Sequence, residues 1–132
     1  MEITVTYEQS RVLVTILHIS GAIDSSNYED LDRIALSSIG SGARYVLLDL
    51  SKVRFMSSAA LRSFQKIERK LNSLSNGPSD DDVKKGLVAG TYKSPYLKLI
   101  NPSAPVNLTL KTAGWDMVFE IHKDMKKAIA SF

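Results

Sequence analysis

The sequence contains no cysteine, and this absence excludes a disulfide framework and a thiolate nucleophile. Its two histidines, His18 and His122, lie far apart without spaced carboxylates beside them, a pattern that argues against a metal site. No apolar run approaches the roughly 20 residues that span a bilayer, and the first residues lack a signal-peptide pattern. We therefore expect a cytoplasmic protein that holds no metal and does not insert into a membrane.

A large charge of one sign is also missing. The formal net charge of the 132 residues is +3, and no aromatic side chains alternate with the basic ones as a nucleic-acid stacking platform requires. We expect no nucleic-acid partner. The hydrophobic share of 44% and the charged share of 23% are ordinary for a globular protein, and the length suits one domain with a sizeable core over residues 1–132.

Enzyme motifs are absent as well. The sequence has no Gly-x-Ser-x-Gly elbow and no glycine-rich phosphate-binding loop, and no motif pairs a histidine with a serine that it could activate. Asp49, near the end of an apolar run, is expected to be hydrogen-bonded structurally rather than catalytic. We expect a protein that is not an enzyme and needs no cofactor.

Strand and helix patterns alternate along the chain. Strands are predicted over Ile3–Tyr7, Val12–Ile19, Tyr45–Leu50, Pro95–Ile100 and Val118–Ile121, and helices from near Asn27 to Gly40 and over Ser58–Leu74, Val106–Thr112 and Asp124–Phe132. The spacing of Ser26 and Glu29 predicts a capping box at the first helix. The order β-β-α-β-α-β-α-β-α predicts an α/β fold with a mixed, mostly parallel sheet of four to five strands and about four helices.

The segment from about residue 75 to 94 has a different texture. Asn76–Pro78 is a strong breaker of regular structure, and three aspartates follow at Asp80–Asp82. Two alternatives stay open for this segment: a short helix over Asp80–Lys85, which Ser79 would cap, and a mobile loop.

A pair of serines offers the best candidate for a functional site. The apolar run Tyr45–Leu50 has the pattern of a strand buried on both faces, and the chain then leads to Ser57 and Ser58 at the predicted start of a helix. Serine is a preferred N-cap, and a helix N-terminus also favours a phosphate group, so both roles are open. If the second and third strands are parallel neighbours, Asp24 and Ser58 follow strand ends on the same side of the sheet and share one site.

Four segments, taken in this order, resemble the STAS domain of the bacterial anti-sigma factor antagonists, also called anti-anti-sigma factors. These segments are Leu17–Asp24, Val46–Ser51, Phe55–Arg62 and Leu99–Phe119. Together they cover nearly the whole chain except the segment from about residue 75 to 94, which is longer than the link usual in the family. The resemblance implies a single STAS-like domain with an insertion or mobile loop at about residues 75–94.

In that family, the unphosphorylated antagonist binds a serine kinase that is also the anti-sigma factor, and this binding releases the sigma factor. Phosphorylation of a serine in the switch loop breaks the complex, and a PP2C-type phosphatase restores it. By position, the resemblance implies that Ser58 is the phosphoacceptor, with Ser57 as the second choice. The partner-binding and switch residues that it implies are Asp24, Ser57, Ser58, Ala59, Ala60 and Arg62.

Ala60 departs from the glycine that is usual in the family. A positive φ at this position would strain an alanine by about 1 kcal/mol. A helical conformation would suit it, and we expect the helical one because residues 58–61 have the pattern of a good first turn.

Two other functions stay open, as does a homodimer. The first is a STAS subunit that docks permanently in another assembly, such as a lipid-transport or stressosome-like complex. The second is a small-molecule binder or weak enzyme that uses Asp24 and Ser58.

Overall fold

The computed structural model describes residues 1–75, 80–89 and 92–132. Over these residues the chain forms five β-strands, five α-helices and one 3-10 helix. The strands are β1 (Glu2–Gln9), β2 (Leu13–Ile23), β3 (Tyr45–Met56), β4 (Leu97–Ile100) and β5 (Ile121–His122). The α-helices are α1 (Tyr28–Gly40), α2 (Ser58–Leu74), α3 (Asp80–Ala89), α4 (Ala104–Thr112) and α5 (Met125–Ala130), and the 3-10 helix covers Trp115–Met117. Within the described ranges, no helix is both long and apolar enough to span a membrane.

The five strands form one sheet in the order β1-β2-β3-β4-β5. β1 and β2 pair antiparallel, whereas the three remaining pairs, β2 with β3, β3 with β4 and β4 with β5, are parallel. Helices connect the parallel neighbours, as such crossovers require. The α/β fold with a mixed, mostly parallel sheet, predicted from the order of the elements, is therefore confirmed.

The sheet separates two hydrophobic clusters of unequal size. The larger cluster includes side chains from α1, α2 and α4, and Leu17, Leu48 and Phe64 are fully buried in it. The smaller cluster lies under α5 and consists of Val14, Ile16, Leu47, Ile100 and Ala128. β3 contributes Leu48 to the first cluster and Leu47 to the second, so this strand is buried on both faces as the sequence predicts.

β3 is longer than the sequence predicts. The apolar run ends at Leu50 and polar residues follow, but the strand continues to Met56. Val53 and Met56 are each 1% exposed, so the second half of the strand also contributes side chains to the larger cluster. β2 extends alongside it to Ile23, with two shifts of register on the way. The sequence predicts that the strand ends at Leu50 and that the helix begins at Ser58; instead, only Ser57 separates β3 from α2.

Asp49 is held by hydrogen bonds within the sheet. Its Oδ2 lies 2.7 Å from Nδ1 of His18, and its Oδ1 accepts from the backbone N–H and the hydroxyl of Ser51 at 3.1 and 2.7 Å. Burial acts to raise the pKa of Asp49, but the hydrogen bonds from Ser51 and His18 outweigh it and hold the pKa below its usual value. These contacts fit the structural role that the sequence predicts for Asp49.

α3 occupies the segment for which the sequence left a helix and a loop open. The helix spans Asp80–Ala89, so it is longer than the expected Asp80–Lys85, and it brings the described α-helices to five rather than about four. The predicted breaker at Asn76–Pro78 and the predicted cap at Ser79 lie outside the described residues.

The position predicted for the last strand is wrong. The strand covers Ile121–His122 rather than Val118–Ile121. Val118 and Phe119 lie instead in the turn after the 3-10 helix Trp115–Met117, and the N–H of Phe119 donates to the carbonyl of Trp115 at 2.9 Å. Phe119 is fully buried in the larger cluster, so it is a core residue although it does not lie in a strand.

Phe64 provides a test of the larger cluster. It is fully buried and contacts Phe119 edge to face, with ring centroids 6.3 Å apart. We expect Phe64→Ala to lower the free energy of unfolding by about 3–5 kcal/mol, because it leaves a cavity. Phe55→Ala is the matched control, since Phe55 is 53% exposed, and we expect a change within about 0.5 kcal/mol. Urea unfolding measures both, and equal losses would contradict this description of the core.

Candidate functional site at the start of the second helix

β2 and β3 end side by side, and this brings two candidate segments together. Ile23, the last residue of β2, is the register partner of Met56, the last residue of β3. The N–H of Ser57 then donates to the carbonyl of Ile23 at 2.9 Å, so the two chains stay hydrogen-bonded beyond the end of β3. Asp24 and the serine pair therefore leave the sheet at neighbouring positions, as predicted for parallel strands.

Asp24 is fixed in a compact loop before α1. Its Oδ1 accepts from the backbone N–H of Ser26 at 2.9 Å and also from the Ser26 hydroxyl. The side chain of Asn27 donates to the carbonyl of Ala22 at 2.9 Å and accepts from the N–H of Asp24 at 3.0 Å. Because Asp24 takes the Ser26 hydroxyl and Asn27 is the N-cap of α1, the predicted capping box between Ser26 and Glu29 is wrong.

Asp24 carries a negative charge at neutral pH. The hydroxyl and the backbone N–H of Ser26 hold the pKa of Asp24 below the usual value for an aspartate. A carboxylate at this edge of the sheet disfavours a second anion placed nearby.

In the part of the chain that the structure describes, no group of three or more histidine, aspartate and glutamate side chains is arranged to hold a metal ion.

Ser57 and Ser58 have different environments at the start of α2. Ser57 is the N-cap, and its Oγ accepts from the N–H of Ala59 at 3.3 Å. Ser58 is the first residue of the helix and is exposed. The first turn of α2 contains no acidic residue, so no carboxylate of that turn offsets the partial positive charge of the helix N-terminus. The cap and the exposed hydroxyl are thus separate side chains.

The residues after Ser58 lie on the first turns of the same helix. Ala60 is helical and fully buried, so the expectation of an unstrained alanine agrees with the structure. Ala59 is half-buried, and Arg62 is exposed. Arg62 shares a side of the helix with Ser58, because residues four apart are neighbours on a helix surface. The site thus combines an exposed hydroxyl, a nearby acidic loop and a basic side chain.

An apolar groove beside Ser58 was not predicted from the sequence. It has a volume of about 350 Å³, and its lining residues are Ser58, Leu61, Leu108, Thr109, Thr112 and Ala113. Leu108, on α4, is 67% exposed. The helical spacing predicts that Val106, Leu110 and Ala113 face the core. Val106 and Leu110 are fully buried, but the prediction for Ala113 is wrong, since it is exposed and lines the groove. No signal in the sequence placed α4 next to Ser58, so the groove could not be found before the fold was known.

The model of the STAS domain family matches residues 4–75, from β1 to just beyond the end of α2. The chain belongs to the STAS domain family. A search of the curated proteins finds no match to this STAS domain.

Solved structures similar to this STAS domain include anti-sigma factor antagonists. One from Mycobacterium paratuberculosis superimposes with a TM-score of 0.70 at 17% identity, over 98% of this chain and 93% of that chain. The antagonist SpoIIAA in its unphosphorylated form gives a TM-score of 0.66 at 17% identity, over 96% of this chain and 93% of that chain. The phosphorylated form of SpoIIAA, a Bacillus cell fate determinant, gives a TM-score of 0.59 at 16% identity, over 96% of this chain and 96% of that chain. At these identities the likeness shows the fold, and the predicted STAS architecture is confirmed.

The two serines of this STAS domain are expected to differ in their effect on stability. Ser57→Ala should lower the free energy of unfolding by about 1 kcal/mol, because it removes the N-cap acceptor of α2. Ser58→Ala is the matched control, and we expect a change within about 0.5 kcal/mol because this hydroxyl is exposed. Chemical denaturation of both variants measures the difference. A loss at Ser58 as large as that at Ser57 would show that Ser57 alone is not the cap.

Proposed function

We propose that this STAS domain is an anti-sigma factor antagonist that acts in the cytoplasm. It binds a serine kinase that is also an anti-sigma factor and so releases the sigma factor, and phosphorylation of Ser58 switches the binding off. A PP2C-type phosphatase removes the phosphate. The observation that carries the proposal is the exposed hydroxyl of Ser58 at the first position of α2. The likeness to anti-sigma factor antagonists, one of them solved in both phosphorylation states, supports it.

Ser58 suits a kinase better than Ser57 does. A kinase must reach the hydroxyl and carry it to a phosphoryl donor, so an exposed side chain is favoured. Ser57 is half-buried, and its Oγ already accepts the N–H of Ala59. Its modification would alter the hydroxyl that caps α2, whereas modification of Ser58 leaves that hydrogen bond in place.

The unmodified surface suits a protein partner. Interfaces combine an apolar centre with polar surroundings. The groove between α2 and α4, with Leu61 and Leu108, supplies apolar area. Asp24 and Arg62 supply charges of opposite sign for polar contacts. The hydroxyl of Ser58 is small and neutral, so a partner can cover it without burying an unpaired charge.

A phosphate on Ser58 changes this balance without any change of fold. It adds about −1.5 to −2 charges at neutral pH. In the free domain, the N–H groups at the start of α2 and the helix dipole stabilise these charges. In a complex, the phosphate would lose water and lie near the negative charge of Asp24, which disfavours binding. If the free energy of partner binding differs by about 2.7 kcal/mol between the phosphorylated and unphosphorylated protein, the affinity changes about a hundredfold.

Variants of Ser58 test the proposal in binding assays with the proposed partner, the serine kinase that is also the anti-sigma factor. Ser58→Ala should bind this partner within about threefold of the unmodified protein, whereas Ser58→Asp should bind at least about tenfold more weakly, because it introduces a charge. Isothermal titration calorimetry measures all three affinities. The matched control is Ser73→Asp, which adds the same charge at the other, exposed end of α2 and should leave the affinity unchanged.

Two outcomes would contradict the proposal. Equal affinities for the unmodified protein, Ser58→Ala and Ser58→Asp would indicate permanent docking, as in a subunit of a lipid-transport or stressosome-like assembly. Equal weakening by Ser58→Asp and Ser73→Asp would attribute the effect to net charge rather than to the position of Ser58.

A further inference from the structure

A cavity lies between α2, α3 and the 3-10 helix, well away from Ser58. Its volume is about 110 Å³. Glu68, from α2, is one of its lining residues and comes ten positions after Ser58, about 15 Å along the helix. α3 supplies Val83 and Lys84 to the wall. The cavity therefore depends on α3, which lies in the segment from about residue 75 to 94.

α3 is seated closely enough to form a wall of this cavity. The N–H of Tyr92 donates to the carbonyl of Gly86 in α3 at 3.2 Å. A Cβ atom at Gly86 would lie 2.9 Å from Cβ of Tyr92, so any larger residue would push the helix and Tyr92 apart. The glycine allows the close approach that places Tyr92 in the lining.

One side of the cavity carries a buried carboxylate. Glu68 is 6% exposed and accepts a hydrogen bond from the hydroxyl of Tyr92. Burial and the neighbouring Glu68 both raise the pKa of Tyr92, so this phenol keeps its proton. Glu68 and Tyr92 both line the cavity, which gives an otherwise largely apolar space a fixed polar group. Ligand sites commonly have this combination of apolar walls and a few convergent polar groups.

The other lining residues include aromatic and basic side chains, beside the amides Gln65 and Asn72 and the apolar Leu87 and Val118. Trp115 stacks on Phe119 with ring centroids 5.3 Å apart and an interplanar angle of 11°, and both residues line the cavity. Arg69 and Lys84 also line it and are exposed, so they place two positive charges where the cavity meets solvent. An apolar interior with cations at its mouth is complementary to a flat apolar molecule that carries one negative group.

We propose that this cavity binds a small planar aromatic carboxylate. The ring lies against Trp115, the carboxylate faces Arg69 and Lys84, and a hydroxyl or N–H at the opposite end of the ring donates to Glu68. The carboxylate remains outside, where the cavity opens to solvent beside Arg69 and Lys84. This site is independent of the proposed switch at Ser58.

Titration of the whole chain with para-hydroxybenzoate tests the proposal. Trp115 is the single tryptophan, so its indole N–H resonance and its fluorescence report on the cavity directly. We expect a saturable shift of both signals with one site. Val83→Phe should abolish the shift, because the larger side chain fills the cavity, and the amide NMR spectrum shows whether the variant is folded.

A charge variant keeps the test decisive if Val83→Phe does not fold. Arg69→Gln should weaken binding by about threefold or more, because it removes one cation from the mouth. Its matched control is Lys70→Gln, the next residue on α2, which is exposed and does not line the cavity, and we expect no change of affinity. The proposal is overturned if Trp115 does not respond to the probe. It is also overturned if binding persists in folded Val83→Phe, or if Arg69→Gln and Lys70→Gln bind alike.

Discussion

The parallel pairing of β2 with β3, completed by the hydrogen bond from the N–H of Ser57 to the carbonyl of Ile23, determines the position of every part of the proposed switch. Because both strands end at one edge of the sheet, the Asp24 loop and the start of α2 emerge side by side. Ile23 and Met56 are almost fully buried beneath them, which fixes both strand ends. The two helices that follow are also joined, since Nζ of Lys66 on α2 lies 3.0 Å from Oδ2 of Asp32 on α1.

Local sequence patterns predicted those parts of the fold that depend on neighbouring residues. The bounds predicted for α2, Ser58–Leu74, agree with the structure. The patterns failed where contacts between residues distant in the sequence determine the length or the position of an element. The second half of β3 is polar on one side, so its sequence is typical of a loop. It forms a strand because it pairs with β2. α4 is held at β3 by the Ser103 hydroxyl, which donates to the carbonyl of Val53 at 2.9 Å, and no local pattern encodes that contact.

The candidate site could be predicted to a similar extent. The proximity of Asp24 and Ser58 required only that two predicted strands be parallel neighbours. The different environments of Ser57 and Ser58 required the geometry of the helix start, because either serine fits an N-cap pattern. The groove beside Ser58 and the cavity near Glu68 each join side chains from segments far apart in the chain, so both required the folded structure.

The position of the phosphate is the most direct test of the central claim, which is that the start of α2 carries a regulated hydroxyl. The protein is incubated with ATP and the serine kinase proposed as its partner, and mass spectrometry locates the modification. The account predicts one phosphate on Ser58, lost in Ser58→Ala and kept in Ser57→Ala. A phosphate on Ser57 or elsewhere, or no phosphate with an active kinase, would contradict it.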